Sequence, residues 1–417
     1  MNTREQRGLE LARAVDIRLD GDTWIVPSQT GGKCYSVDLG GPRCTCPDFE
    51  MRGVKCKHIY AVEYTLEQKT EPDGTTTVTE TVKVTYSRSW THYNAAQSEE
   101  KKRFVVLLAD LCRGVKQPLQ ANGRPSLPLS DMVFACAYKV YVGFSSRRFT
   151  TDLKEAQASG FIHKAAHFNT VSRYLSNPEL TETLKGLVTV SSLPLKSVET
   201  NFAVDSSGFS TCRFVRWFNK KYGKEVDNRE WVKAHLMCGV KTKIVTSVDI
   251  SGWAAHDTSY FVPLVQATAE HFQLGDVTAD KAYLSHKNLR AVDEAGGTPF
   301  VPFKSNTVQP TQDSIWSKMY HYFMHERETF LEHYHMRSNI ESAYSMMKTK
   351  FGDSVRSKSD TGQINECLCK VLCHNICVLV QAIHELNIEP TFGAKPTFGA
   401  ELVSDSPKKL LVQNPDF

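Results

Sequence analysis

Asn201-Phe202-Ala203-Val204-Asp205-Ser206-Ser207-Gly208 is the stretch on which the fold turns. An apolar run leads into one carboxylate, and serines and a glycine follow. This is the pattern of a short buried strand that ends in an acid beside a turn. Residues 201–205, 232–240 and 243–250 read as three consecutive strands. Residues 256–269 read as a helix with Asp257 as its N-cap. Residues 275–279 form a fourth strand, closed by a second acid, Asp280. Residues 285–295 read as a helix stopped by Gly296-Gly297, 298–303 as a fifth strand, and 326–351 as one long helix. The order βββαβαβα predicts an α/β domain with a mixed sheet.

The remainder of the 417 residues is organised around this domain. Residues 1–67 read as a compact module, with strands at 23–27 and 33–39 and a helix over 55–67. Residues 68–100 read as a polar linker with one exposed strand or hairpin. Residues 101–195 read as a helical, helix-turn-helix-like DNA-binding segment, 196–355 as the catalytic core, and 356–417 as a C-terminal helix and tail. Pro390-Thr-Phe-Gly-Ala394 recurs as Pro396-Thr-Phe-Gly-Ala400 in that tail. Net charge is only +4, but residues 101–190 hold 13 Lys+Arg against 6 Asp+Glu, whereas residues 1–67 hold 9 against 10. A local basic surplus of this kind marks a phosphate-contacting surface. Its candidate contacts are Arg147, Arg148, Lys164, Asn169 and Arg173. The charged start lacks the apolar core of a secretory signal, and the apolar run 371–383 is too short to span a bilayer. No membrane partner is expected, and the expected location is the cytoplasm, at the nucleoid if the host is a prokaryote.

Twelve cysteines in a long chain of this kind point to reduced thiols and metal ligation rather than disulfides. Cys44-x-Cys46-x9-Cys56-x-His58 supplies four zinc-suited ligands within fifteen residues. A Cys3His set closes a tetrahedral site and leaves no position for water, so one structural Zn²⁺ is expected. Cys367, Cys369, Cys373, His374 and Cys377 lie among Leu368, Val371, Leu372, Ile376 and Leu379 and read as a buried helix, not a second metal site.

Tyr334, Arg337, Glu341 and Lys348 are spaced 3, 4 and 7. At about 100° per residue they fall within roughly 60° on one helical face, with Met336, Ile340 and Met347 opposite. Asp205, Asp280 and Glu341 are then three carboxylates from distant points in the chain. Hard oxygen ligands of this kind suit Mg²⁺. Two such ions activate a nucleophile and offset charge on the leaving oxygen of a phosphodiester.

The Tyr-x2-Arg-x3-Glu-x6-Lys pattern, with Val204-Asp205-Ser206 and Ala279-Asp280-Lys281-Ala282-Tyr283, resembles the DDE transposases of bacterial insertion sequences over about residues 100–385. The resemblance implies an RNase H-like core in which Asp205, Asp280 and Glu341 hold two Mg²⁺ ions, with Mn²⁺ as a substitute. It implies that Tyr334, Arg337 and Lys348 hold the transposon-end strand. Lys281 is a further candidate contact; Lys233 and His235 are weaker ones. Only 60 residues separate Asp280 from Glu341, which leaves little room for a large insertion there. The segment around Cys44-Thr45-Cys46-Pro47-Asp48-Phe49 and Lys55-Cys56-Lys57-His58 resembles the SWIM zinc finger, which implies a DNA or protein partner. The expected activity is cleavage at transposon terminal inverted repeats and transfer of the freed 3′-hydroxyl into target DNA by a homodimer. The competing readings are a domesticated, non-mobile DNA-binding protein and an RNase H-like nuclease without strand transfer.

Overall fold

The computed structural model describes residues 3–15, 17–20, 23–28, 34–39, 43–70, 76–80, 89–120, 122–123, 125–211, 231–308 and 314–392. They form two compact units, Met1–Lys83 and Val84–Phe417.

The first unit begins with α1 (Thr3–Ala14), which the sequence pattern did not announce. An antiparallel sheet follows in the order β1 (Arg18–Asp20), β2 (Thr23–Pro27), β3 (Cys34–Asp38), β4 (Arg43–Cys44). Trp24 and Val26 alternate into the core from β2, as period-two patterning requires. Two helices close the unit, α2 (Pro47–Arg52) and α3 (Lys57–Thr65). α1 lies against α3 at Gly8, where a Cβ would stand 2.4 Å from the Tyr60 Cβ. The expected strand or hairpin is an antiparallel pair, β5 (Leu66–Thr70) and β6 (Thr76–Glu80).

The second unit is built on a five-stranded mixed sheet. Its strands are β7 (Phe202–Ser210), β8 (Trp231–Gly239), β9 (Val245–Gly252), β10 (Asp276–Ala279) and β11 (Thr298–Phe300), in the order β11-β10-β7-β8-β9. β7, β8 and β9 are antiparallel, while β10 runs parallel to both β7 and β11. Side chains alternate between two cores. Ala203, Phe209, Ala234, Leu236 and Cys238 face one, and Phe202, Val204, Met237, Val277 and Phe300 face the other.

The first core is covered by α4 (Trp90–Arg113), α5 (Leu129–Val142), α6 (Thr150–Ala158), α7 (Phe168–Leu175), α8 (Glu179–Ser192), α13 (Ser338–Phe351) and α14 (Asp360–Leu386). The second is covered by α9 (Thr258–Ala269), α10 (His286–Glu294), α11 (Ile315–His325) and α12 (Arg327–His335).

Three features depart from the sequence expectation. First, 326–351 is not one helix. α12 buries Phe330 in one core and α13 buries Ile340, Ala343 and Met347 in the other, so the chain must change faces at Met336-Arg337. Second, the packing shows no division at 195/196 or 355/356. The helices of 101–195 and the C-terminal helix share one core with the sheet, because their apolar stripes have no other surface to cover. α4 also begins at Trp90, inside the expected linker. Third, α14 is 27 residues long and by length and composition alone could cross a membrane, yet most of it is buried inside the unit. Its cysteines pack as apolar residues, as expected. Asn375, fully buried on α14, ties three elements together. Its Oδ1 accepts from Val245 N (2.8 Å), and its Nδ2 donates to Val245 O (2.7 Å) and Ser191 Oγ (2.9 Å). The second copy of the tail repeat lies outside the described residues.

His374 on α14 donates from Nε2 to the carbonyl of Lys243 (2.9 Å), bracing a residue whose φ of 66° is left-handed. Burial pushes His374 down to about 4, and it does the same to His235 on β8. Unfolded histidines protonate near 6.5, so between pH 6.5 and 4 the unfolded chain binds more protons than the native one. Stability therefore falls as pH falls through that window. Urea midpoints measured across it should decrease with acidification, and His374→Gln should flatten the slope. A pH-independent midpoint would contradict the buried neutral state.

Candidate active site and metal centre

The parallel pairing of β7 and β10 ends at Ala279 opposite Val204. Asp280 and Asp205 each come one residue later, side by side where β10 ends. Asp205 does not end its strand, as the sequence suggested. β7 continues to Ser210, but beyond Val204 it is paired only with β8. The acid thus sits at a step in the sheet where its parallel neighbour stops.

Glu341 reaches this step from the first turns of α13. The Tyr344 hydroxyl, one turn further on, lies 2.9 Å from the Asp205 carbonyl and 2.8 Å from the Ala234 carbonyl, which locks α13 onto β7 and β8 at the acid itself. The spacing argument missed this residue; its place among Ile340, Ala343 and Met347 marks it only as a core aromatic. Arg337 stands in the crossing between α12 and α13. Its Nη1 donates to Asp205 Oδ2 (3.1 Å) and its Nη2 to Glu341 Oε1 (2.6 Å).

Burial raises the Asp205 carboxyl above the usual carboxylate range. The Ser206 N–H and Arg337 oppose that rise, and the charges of Glu341 and Asp280 reinforce it. Asp280 accepts from the Lys281 N–H (2.6 Å). Tyr334 completes the group: burial raises its phenol, and it feels the charges of Arg337, Asp280 and Glu341. Lys348 is further along α13, where its Nζ donates to Ser207 Oγ (2.6 Å) and stands 5.4 Å from the Phe209 ring centre. Burial lowers its pKa. The Lys281 side chain is exposed. Tyr334, Arg337 and Glu341 therefore meet although no continuous helix carries them. Three carboxylates facing one guanidinium leave a deficit of positive charge, and hard oxygen donors of this kind fit Mg²⁺. Among the described residues their oxygens do not gather as tightly as the ligand atoms of the Cys3His group described below.

Residues 196–376, which contain all three acids, match the family described as the transposase DDE domain. The chain carries a transposase DDE domain. This supports a transposase function and action on DNA. Residues 35–67 match the SWIM zinc finger, so the transposase domain is joined to a SWIM module in one chain. No solved structure matches the chain.

The SWIM module holds Cys44 on β4, Cys46 at the N-cap of α2, and Cys56 and His58 at the start of α3. All four are buried, and their ligand atoms lie within 4.8 Å of one another. His58 Nδ1 is 3.8 Å from both Cys44 Sγ and Cys56 Sγ. The Cys44 thiol hydrogen-bonds to Cys56, which pulls Cys56 down to about 4 and holds Cys44 up. Gly53, at a left-handed φ of 61°, ends α2 and turns the chain back toward Cys56. This set supports structural zinc, with His58 presenting Nδ1.

Among the helical candidates, Arg147 and Arg148 are exposed between α5 and α6. The Arg147 guanidinium lies 5.3 Å from the Phe168 ring centre of α7, and Arg148 lies 5.8 Å from that of Phe144. Arg173 is exposed in the last turn of α7. The structure does not bring these three to the acids. Lys233 is occupied by Asp257 Oδ1 (2.9 Å) and the Ala255 carbonyl (3.1 Å), and His235 is buried, stacked on Tyr260.

Metal analysis of the purified protein should find one zinc per chain. Chelation should unfold the Met1–Lys83 unit and leave the second unit folded, because only the first is organised around the thiols. Cys56→Ser should lose the zinc. Full zinc retention in that variant would remove Cys56 from the ligand set.

Proposed function

We propose that the chain is a metal-dependent polynucleotidyl transferase with an RNase H-like core, which cleaves transposon ends and joins the freed 3′-hydroxyl to target DNA. The observation that carries this reading is the register of β7 and β10, which sets Asp205 beside Asp280, with Arg337 linking Asp205 to Glu341. The strand order, with β7 central and β10 parallel to it, supports the RNase H-like assignment.

Asp205, Asp280 and Glu341 would hold two Mg²⁺ ions, with Mn²⁺ as a substitute. When bound, such ions make water or a hydroxyl nucleophilic at neutral pH and stabilise the leaving oxygen. Asp205 is fixed by its own strand and by the Ser206 N–H, so its carboxylate is preorganised. Arg337 holds Asp205 and Glu341 together when the acids face no other cation. Its guanidinium is also placed to bind a phosphate oxygen bidentately. Tyr334 and Lys348 flank it and would fix the strand, the lysine neutralising phosphate and the tyrosine stacking or hydrogen-bonding. Arg147, Arg148 and Arg173 would recognise the terminal repeats, remote from the chemistry. Lys281, exposed next to Asp280, would neutralise a phosphate near the scissile bond. Bringing two ends together requires at least a homodimer on DNA, and the SWIM module would add a DNA or protein contact.

Incubated with Mg²⁺ and DNA carrying the element's own ends, the protein should nick at those ends and yield joined products with a second DNA. Glu341→Gln should bind the ends as well as the unsubstituted protein but reduce cleavage to background. Retained cleavage would overturn the assignment of Glu341, and cleavage without joining would favour a nuclease.

Arg337→Ala tests the bridge separately. It should weaken end binding and lower cleavage, with Arg337→Lys restoring little of either, since an ammonium cannot span two acceptors as a planar fork does.

A further inference from the structure

A shallow groove of about 520 Å³ runs between α9 and α10, lined by Val262 and Gln266 on one side and by His286, Lys287, Arg290 and Glu294 on the other. α10 turns Asn288, Leu289 and Val292 into the core, which leaves His286, Lys287 and Arg290 exposed together. The ring of His286 is stacked on Trp316 at 3.9 Å, so it is held flat against the protein. Lys287 and Arg290 have no hydrogen bond or ion pair among the described residues, unlike Arg103, Arg113 and Lys185, which do. Glu294 is the single acid lining the groove.

The position of this groove gives it meaning. The chain leaves β10 at Asp280, passes the exposed Lys281, and enters α10 at His286. Six residues span at most about 20 Å, the rise of about six nucleotides of one strand. The groove also belongs to the sheet face opposite α13. Arg337, Glu341 and Lys348 approach the acids from the α13 side, and α10 departs from them on the other. In-line displacement places attacking and leaving oxygens on opposite sides of the phosphorus. The DNA that supplies the 3′-hydroxyl and the DNA that receives it must therefore leave the acids in different directions.

We propose that Lys287 and Arg290, with Lys281 leading to them, form the phosphate-binding track for target DNA. This rests on the strand-transfer reading above. Glu294 at the far end of the groove repels phosphate and limits the track to a few nucleotides. Because the track meets only phosphate, it carries no sequence preference of its own.

The test compares the full-length protein with Lys287→Ala/Arg290→Ala and, as a matched removal of two exposed cations elsewhere, Lys241→Ala/Lys358→Ala. Binding to a random-sequence duplex is measured against salt without divalent ion, alongside end cleavage and strand transfer in Mg²⁺. The groove variant should lower the slope of log K against log salt by about 1.8, at about 0.9 for each phosphate no longer neutralised. It should reduce strand transfer at least about tenfold through that weaker affinity, and leave end cleavage close to the unsubstituted level. The control pair should change none of these. An unchanged slope would overturn the proposal, and so would a fall in end cleavage equal to that in strand transfer, which would assign the groove to donor DNA. If the unsubstituted protein fails to cleave its ends, the catalytic reading fails, while the slope still shows whether the groove binds duplex DNA.

Discussion

Two carboxylates on adjacent parallel strands repel one another, and the second unit is arranged around keeping them there. Asp205 and Asp280 are forced together by backbone pairing that ends one residue before each of them. Burial makes the charge on Asp205 costlier still. The Arg337 guanidinium offsets part of that cost by reaching Asp205 and Glu341 at once. This requires the chain to cross from one face of the sheet to the other beside the acids. Hence α12 and α13 cannot be one helix, and Arg337 stands in the break instead of on a continuous stripe.

The helices that share the first core with α13 support this arrangement. α4, α5 and α14 bury the apolar side of α13, and Lys350 at its far end pairs with the buried Glu100 of α4, which also accepts from the Tyr141 hydroxyl of α5. The C-terminal loop of α13 is held by Lys370 of α14, whose Nζ donates to the carbonyls of Phe351, Gly352 and Ser354 at 2.8 Å each. A helical layer that fixes both ends of α13 therefore also fixes Glu341, which Arg337 ties to Asp205. The basic surplus of 101–190 thus belongs to a segment that braces α13 from within and exposes Arg147, Arg148 and Arg173 outside.

The SWIM module answers a different constraint. Its core is small, and three of its buried apolar positions are thiols that belong to the Cys3His group able to hold a metal ion. Zinc bound there would take the place of apolar area that a unit of this size cannot bury. Asp48, between Arg4 (3.1 Å) and Arg52 (3.6 Å), fastens α1 to α2 beside the site.

The sequence alone determined what depends on local order. The ligand spacing from Cys44 to His58 is a matter of a single short loop and two element starts, so it could be read without a fold. The strand order after residue 199 was legible from patterning, and so was the acid that follows β10, whereas Asp205 lies inside its strand and not at its end. The tertiary structure decided everything that required two distant segments at once. The extension of β7 past Asp205 depends on β8. The break before α13 depends on two cores that accept different faces of one apparent helix. The bracing by Tyr344 depends on carbonyls of two strands, and the merging of 101–195 with the five-stranded sheet depends on α14. Periodicity records which residues are apolar, not which surface each will meet, and that surface exists only once the chain has folded.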